Sequence, residues 1–324
     1  MLYPLTFRPI FKERIWGGRN LERLYGKALP KDVPIGESWE ISDRPDDENI
    51  ISNGPLAGKS LHWLMEHHRP ALLGSAQANS SGRFPLLIKI LDAQEKLSLQ
   101  VHPPAAKVAE LGGEPKTEMW FIADATPAAD LFVGLKRGTT RTEFEQKIGD
   151  GSVAECFHHI LVKPGDAIFL PSGRVHAIGA GNVIFEIQQN SDTTYRVFDW
   201  NRVDARGKPR ELHVEKSLDS IDFNDFEPPL ISNVFHHEGS LRVRELVTDP
   251  LFKVEQCEAD TPQQYLKSAG AMQIFGVLKG SLQIENPTQN VSLRAGNFCL
   301  VPASENATVK NDGAVSFLRI HAGV

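Results

Sequence analysis

The chain has 324 residues, of which 41% are hydrophobic and 23% charged, the composition of an ordinary globular protein with core enough for one large or two moderate domains. Its net charge of −6 gives no reason to expect nucleic acid or an anionic membrane as partner. Cys156, Cys257 and Cys299 are far apart, odd in number and form no Cys-x-x-Cys, which argues against a disulfide framework and a thiolate metal site. The first residues lack the basic-then-apolar pattern of a signal, and no apolar run approaches the ~20 residues of a membrane span, so a cytoplasmic location is expected.

Residues 1–60 are rich in Pro, Gly and Trp and show little helical periodicity. Trp16-Gly17-Gly18 reads as a flexible turn beside a large ring. Residues 35–42 alternate as an outer strand, with Glu37, Trp39 and Ile41 on one face. Residues 43–55 are turn-rich and predict a loop. Residues 60–68 carry apolar side chains at 61, 64 and 65, the spacing of a helix capped by Ser60 and closed by Pro70. On this reading His62, His67 and His68 are surface residues.

Residues 84–91 form the first strongly apolar strand. After a turn at 92–95 the chain enters a second strand, in which Gln100 and His102 share one face while Leu99 and Val101 point into apolar packing. Pro103 and Pro104 stop it, and residues 105–111 predict a short helix. In the strand 116–122, Glu118 shares a face with Lys116 and Trp120. Strands are predicted at 130–135 and 156–162, with a helix over 140–148 capped by Thr142. Then comes Gly165-(x)5-Pro171-x-Gly173-x-x-His176, in which two turns flank a four-residue apolar strand and deliver His176 to the start of the next. Taken alone, His102 reads as a packed or solvated histidine and Glu118 as a salt-bridge partner. The spacing that ends at His176 favours a joint reading: Gln100, His102, Glu118 and His176 supply one amide oxygen, two imidazoles and one carboxylate, a donor set for Zn2+ or another divalent first-row ion with an open position.

Glu186 lies on a strand face, over 183–189, that can be a barrel interior. Arg196 and Arg202 are natural partners for an anionic substrate, with Lys96 and Lys116 near the metal donors. Residues 203–230 read as a connection with one short helix at 213–220. From 231 the β pattern resumes, with strands at 241–247, 252–257, 272–279, 281–285, 297–301 and 314–321. Gly296 to Pro302 repeats the earlier turn spacing, but Ala307 stands where His176 stood, so a second barrel without metal ligands is expected. His321 reads as an end-of-strand surface residue. The expected domains are 1–225, with the metal, and 226–324, without it.

The motif ending at His176 resembles the second motif of the cupin family of small β-barrels, here with Gln100-Val101-His102 in place of the usual pair of histidines and Glu118 after an inserted helix. Together with Glu95-Lys96-Leu97-Ser98-Leu99-Gln100-Val101-His102-Pro103, Lys116-x-Glu118, Gly36-Glu37-x-Trp39 and Asp192-(x)3-Arg196, it resembles the type I mannose-6-phosphate isomerase family over nearly the whole chain, in the short bacterial form without the large helical insertion. The resemblance implies a mainly β fold of two cupin-like (jelly-roll) barrels with a few short helices. It implies interconversion of mannose 6-phosphate and fructose 6-phosphate through an enediol, with one Zn2+ per chain, by a monomer or homodimer. Gln100, His102, Glu118 and His176 match the family's metal ligands, Arg196 its catalytic arginine, Glu186 a proposed acid/base carboxylate and Lys116 an active-site lysine. Arg202 stands where longer members have a lysine, which keeps the charge but replaces a point with a fork. Lys96, Ser98 and Arg202 are the substrate-phosphate candidates. Two other readings stay open: a metal-dependent cupin oxygenase, which would want iron and a histidine-rich set, and a sugar-binding or regulatory bicupin without turnover.

Overall fold

The structure, a computed structural model, describes residues 1–203 and 207–323; residues 204–206 of the expected connection lie outside the described residues. Contacts gather the chain into two compact units, one of Glu13–Gly18 with Leu91–Ile231, the other of Met1–Lys12, Arg19–Ile90 and Ser232–Val324. Sequence order suggests a division at 225/226; the contacts instead group Arg19–Ile90 with Ser232–Val324. The reason is pairing over long sequence distances. Leu5 and Leu300 exchange two backbone hydrogen bonds, of 2.8 and 2.9 Å, and Lys27 Nζ donates to Gly296 O at 3.0 Å. Such partners leave no mark on local composition.

In the first unit, strands Phe157–Leu161, Asp130–Leu135, His176–Ile178, Leu99–Val101 and Tyr195–Phe198 lie side by side in that order. Ala167–Leu170, Glu118–Ala125 and Asn182–Gln189 form a second antiparallel layer. The period-2 alternation that predicts these strands also sorts their side chains. Leu131, Val133 and Ile178 of one layer pack with Trp120, Ile122, Ile168, Leu170 and Ile184 of the other. On the outer face Leu99, Val101, Ala177 and Val197 pack with Phe144 of the helix Arg141–Asp150 and Leu218 of the helix Val214–Ser220. The unit is a two-layer β-sandwich with one layer backed by helices.

The second unit is also a sandwich. Its six-stranded sheet runs His236–Glu238, Leu241–Asp249, Phe252–Ala259, Val315–Ala322, Gln273–Lys279, Phe298–Val301. Its four-stranded sheet runs Gln263–Lys267, Ala307–Asn311, Ser281–Glu285, Asn290–Arg294. Val243, Cys257, Phe275 and Phe317 meet Leu282, Ile284, Leu293 and Val309 in its core. Among the described residues no helix is long and apolar enough to cross a membrane.

Five local expectations are corrected. Trp16-Gly17-Gly18 is not a turn but the end of the strand Ile10–Gly18, whose Trp16 is buried and whose Trp16 O accepts from Gln94 N at 2.9 Å. The helix over 61–68 does not stop before Pro70: it kinks at His68 (φ −135°) and runs on to Leu73. Pro70 falls in the first turn after the kink, where its missing N–H is not needed. The cap of Arg141–Asp150 is Thr140, not Thr142; its side chain accepts from Glu143 N at 3.2 Å. Finally, 43–55 contains short strands, and fully buried Asp43 lies 3.0 Å from His62 Nδ1, so His62 is a half-buried partner rather than a free surface residue.

Candidate metal centre

Register brings the donors together. His176 stands opposite Gln100, and Arg196 stands opposite Gln100 on the other side. Directly opposed residues of antiparallel strands share a face, so His176, Gln100 and Arg196 form one row across three strands. His102 follows Gln100 by two residues, one step beyond the strand end. The turns place His176 as the spacing predicts: Gly165 and Gly173 take φ of 93° and 92°, open to glycine at little cost, and Gly173 N donates to His102 O at 2.9 Å. In the facing layer, Glu118 begins its strand and pairs with Leu170 and Gln188.

One ligand atom each of His102, Glu118 and His176 lies within 4.8 Å of the others, and all three residues are buried, at 1%, 0% and 1% exposure. His176 Nε2 lies 3.3 Å from Glu118 Oε1, and His102 Nε2 lies 3.7 Å from Glu118 Oε2. The histidines and the carboxylate meet without hydrogen bonding to one another: both Nε2 atoms and Glu118 Oε1 are buried with no hydrogen-bond partner, while Oε2 is paired with the Lys116 ammonium. The other ring nitrogens explain why. His102 Nδ1 sits 2.8 Å from Thr193 O, and His176 Nδ1 sits 2.9 Å from Arg174 O. A carbonyl only accepts, so each Nδ1 carries the proton and each Nε2 presents a lone pair. This arrangement is the one that orients histidines toward a metal.

Electrostatics keep the donors in ligating form. Burial, helped by Lys116, pushes the His102 imidazolium pKa down to about 4, and burial likewise lowers that of His176, so both rings are neutral at physiological pH. Burial alone would raise the Glu118 carboxyl, but the ammonium of Lys116, 2.8 Å from Oε2, outweighs it and holds it well below the usual range. Burial would likewise lower Lys116, but Glu118 and Glu186 raise it above its ordinary value. Two neutral imidazoles and one carboxylate are a donor set for a divalent first-row cation. Gln100, half-buried in the same row, adds an amide on that face.

The remaining expected residues fall around this set. Glu186 pairs with Trp120, whose indole N–H donates to Glu186 Oε1 at 2.9 Å; the edge of the Trp120 ring meets His176 at a centroid distance of 5.3 Å. Ser98 is buried just before the strand that carries Gln100. Lys96 is exposed and lies over the rings of Trp200 and Phe132, at 5.0 and 5.4 Å. Arg196 Nη1 donates to Glu211 O at 2.7 Å, while its Nε is buried without a partner. Arg202 donates to Lys96 O at 2.6 Å and to Asp199 Oδ1 at 2.5 Å.

Sequence reasoning does not reach Asp199 or Arg210. Arg210 Nε donates to Asp199 Oδ2 at 2.6 Å, so Asp199 holds Arg202 and Arg210 at once. Burial, with the charges of Arg210 and Arg202 adding to it, lowers the pKa of Arg196. Three guanidiniums thus share a neighbourhood in which Asp199 is the acid that both Arg202 and Arg210 contact. No local pattern announces this; it arises where the chain folds back after the turn at Trp200 and Asn201.

Residues 5–116 match the profile described as phosphomannose isomerase type I, catalytic domain. A probable mannose-6-phosphate isomerase of Bacillus subtilis (strain 168) is 37% identical over 94% of this chain and 94% of its own length. The crystal structure of the mannose 6-phosphate isomerase from Bacillus subtilis superposes with a TM-score of 0.89 at 31% identity, over 99% of this chain and 100% of that one. A mannose 6-phosphate isomerase solved in a zinc-bound form shares the fold, with a TM-score of 0.77 at 17% identity over 99% of this chain and 100% of that one. With this likeness along almost its entire length, the chain belongs to the type I mannose-6-phosphate (phosphomannose) isomerase family.

Proposed function

We infer that this chain interconverts mannose 6-phosphate and fructose 6-phosphate at a single zinc ion held by His102, Glu118, His176 and Gln100. One observation carries the reading: both histidines are locked through Nδ1 onto backbone carbonyls, so that their bare Nε2 atoms and the Glu118 oxygens converge within 4.8 Å. A cation bound there supplies positive charge that polarises the sugar oxygens.

The reaction moves one proton between C1 and C2 of the sugar through an enediol. Glu186 is the carboxylate we assign to that transfer, oriented by the Trp120 indole on its Oε1. Lys116 stays charged and keeps Glu118 ionised. Arg196, in the same row as Gln100 and His176, is placed to stabilise negative charge developing on the sugar. Three arginines about Asp199 leave positive charge for an anion to neutralise, which suits the substrate phosphate; Arg202, Lys96 and Ser98 are its assigned partners.

A coupled assay with mannose 6-phosphate tests the reading. Turnover is expected, with loss on chelation and return on adding zinc. Saturable sugar binding without turnover would leave the non-catalytic reading in its place.

A further inference from the structure

On the face that carries Glu118, a further buried acceptor, outside the metal donors, has no hydrogen-bond donor. Gln188 stands directly opposite Glu118 in the pairing of Asn182–Gln189 with Glu118–Ala125, so the two side chains are neighbours on one face. Gln188 is fully buried. Its Nε2 donates to Gln189 O at 2.8 Å and to Ser191 O at 2.7 Å. Both partners only accept, which fixes the amide: turned over, it would set its oxygen against two carbonyl oxygens. Oε1 is thereby committed to the other side, where it is buried with no donor. A clamp on the loop needs only Nε2 and leaves this oxygen unexplained.

The loop that Gln188 grips is the one that orients His102. Thr193 N donates to Ser191 Oγ at 3.2 Å, and Thr193 O takes the Nδ1 proton of His102 at 2.8 Å. Lys116, the neighbouring ammonium, is paired with Glu118. The unserved oxygen therefore belongs to the side chain directly opposite Glu118, whose neighbours His102 and His176 keep unserved lone pairs of their own.

We propose that Gln188 is a positioning residue of the cation site, its Oε1 accepting a hydrogen bond from water carried by the bound cation. The proposal rests on the metal reading above. Its test is zinc affinity, measured on the full chain by competition with a chromophoric chelator, in wild type, Gln188→Leu and Gln188→Glu. Wild type is expected to bind one zinc. Gln188→Leu, which loses the oxygen, is expected to bind about tenfold more weakly. Gln188→Glu, which also loses the Nε2 bonds and sets an oxygen against Gln189 O and Ser191 O but keeps an acceptor at Oε1, is expected to bind about tenfold more tightly than Gln188→Leu. Equal weakening in both variants would mean that the amide only clamps the loop, and would overturn the proposal, as would a Gln188→Leu affinity within twofold of wild type. If wild type itself binds no zinc, the metal reading falls and the role of Gln188 with it.

Discussion

Both sandwiches bury charge, and they dispose of it differently. In the second, Arg319 follows Phe317 and Val315 of the core at two-residue steps along its strand, and each nitrogen of its guanidinium is engaged: Nε bonds Glu255 at 2.7 Å, while Nη1 and Nη2 bond Glu238 at 3.0 and 2.6 Å. In the first, Lys116 pairs with Glu118 Oε2 at 2.8 Å, but two imidazole lone pairs and Glu118 Oε1 are left without a hydrogen-bond donor around one point. The strands opened by His176 and Ala307 follow the same turn spacing, yet Ala307 joins an apolar core with Phe275 and Phe317. Burial of charge is therefore not in itself a mark of chemistry. The mark is a set of lone pairs aimed by hydrogen bonds at their far atoms and then left without a donor, at a cost that a closed ion pair does not carry.

Substitutions that push one sandwich toward the other test this contrast. The largest effect is expected from His176→Ala, which gives the first sandwich the residue of the second. Zinc affinity should fall by more than about 100-fold, and turnover should vanish with it, while the melting temperature of the metal-free protein holds, because a buried unserved nitrogen is removed. A melting temperature that drops as far without zinc as with it would mean that His176 is a packing residue.

Next in size is Arg196→Ala. On the proposed role of Arg196, its loss should lower turnover by about 100- to 1,000-fold, with zinc content by elemental analysis unchanged. Zinc lost along with activity would place Arg196 among the groups that build the metal centre instead.

The reverse graft, Ala307→His, should not create a metal site. It forces a polar ring into a filled apolar core and should destabilise by about 1–3 kcal/mol, read by denaturant unfolding, with no zinc gained. Gain of zinc binding would show that the second sandwich keeps latent ligands.

The smallest effect concerns the closed ion network. Burial raises Glu255, but its bond to Arg319 outweighs this, and Glu238 is lowered chiefly by the same guanidinium. Both carboxyls therefore bind protons less readily folded than unfolded. Their stabilisation is present above the ordinary glutamate value of 4.5 and is lost as pH falls below it. Glu255→Gln should cost about 1 kcal/mol at neutral pH, since Arg319 keeps Glu238, and should flatten the acid limb of the stability curve. An acid limb identical to wild type would assign it to other carboxyls.

Much of this is visible in the chain before folding. The alternation at Gln100 and His102, the turn glycines at 165 and 173, and the apolar strand between those turns are local features, governed by pleat and by allowed φ. They place each candidate metal donor on a strand or at its end, and on a face. Local signals fail where a tertiary contact overrides them. Pro70 reads as a stop because only the kink at His68 makes it a start. Trp16-Gly17-Gly18 reads as a turn because only the bond from Gln94 N to Trp16 O shows it extended.

By itself the sequence determined the elements, the spacing that sets His176 at a strand start and the kinds of donor on offer. The tertiary structure alone decided which lone pairs stay bare: Thr193 O and Arg174 O each accept from a histidine Nδ1–H and so leave Nε2 as the lone pair, Gln188 Oε1 is left without a donor, and Asp199 gathers two arginines. The division has one cause. Backbone geometry repeats over two to four residues and is written in the local order of side chains, whereas a hydrogen bond left unmade depends on every neighbour that register brings near, and most of those lie tens of residues away.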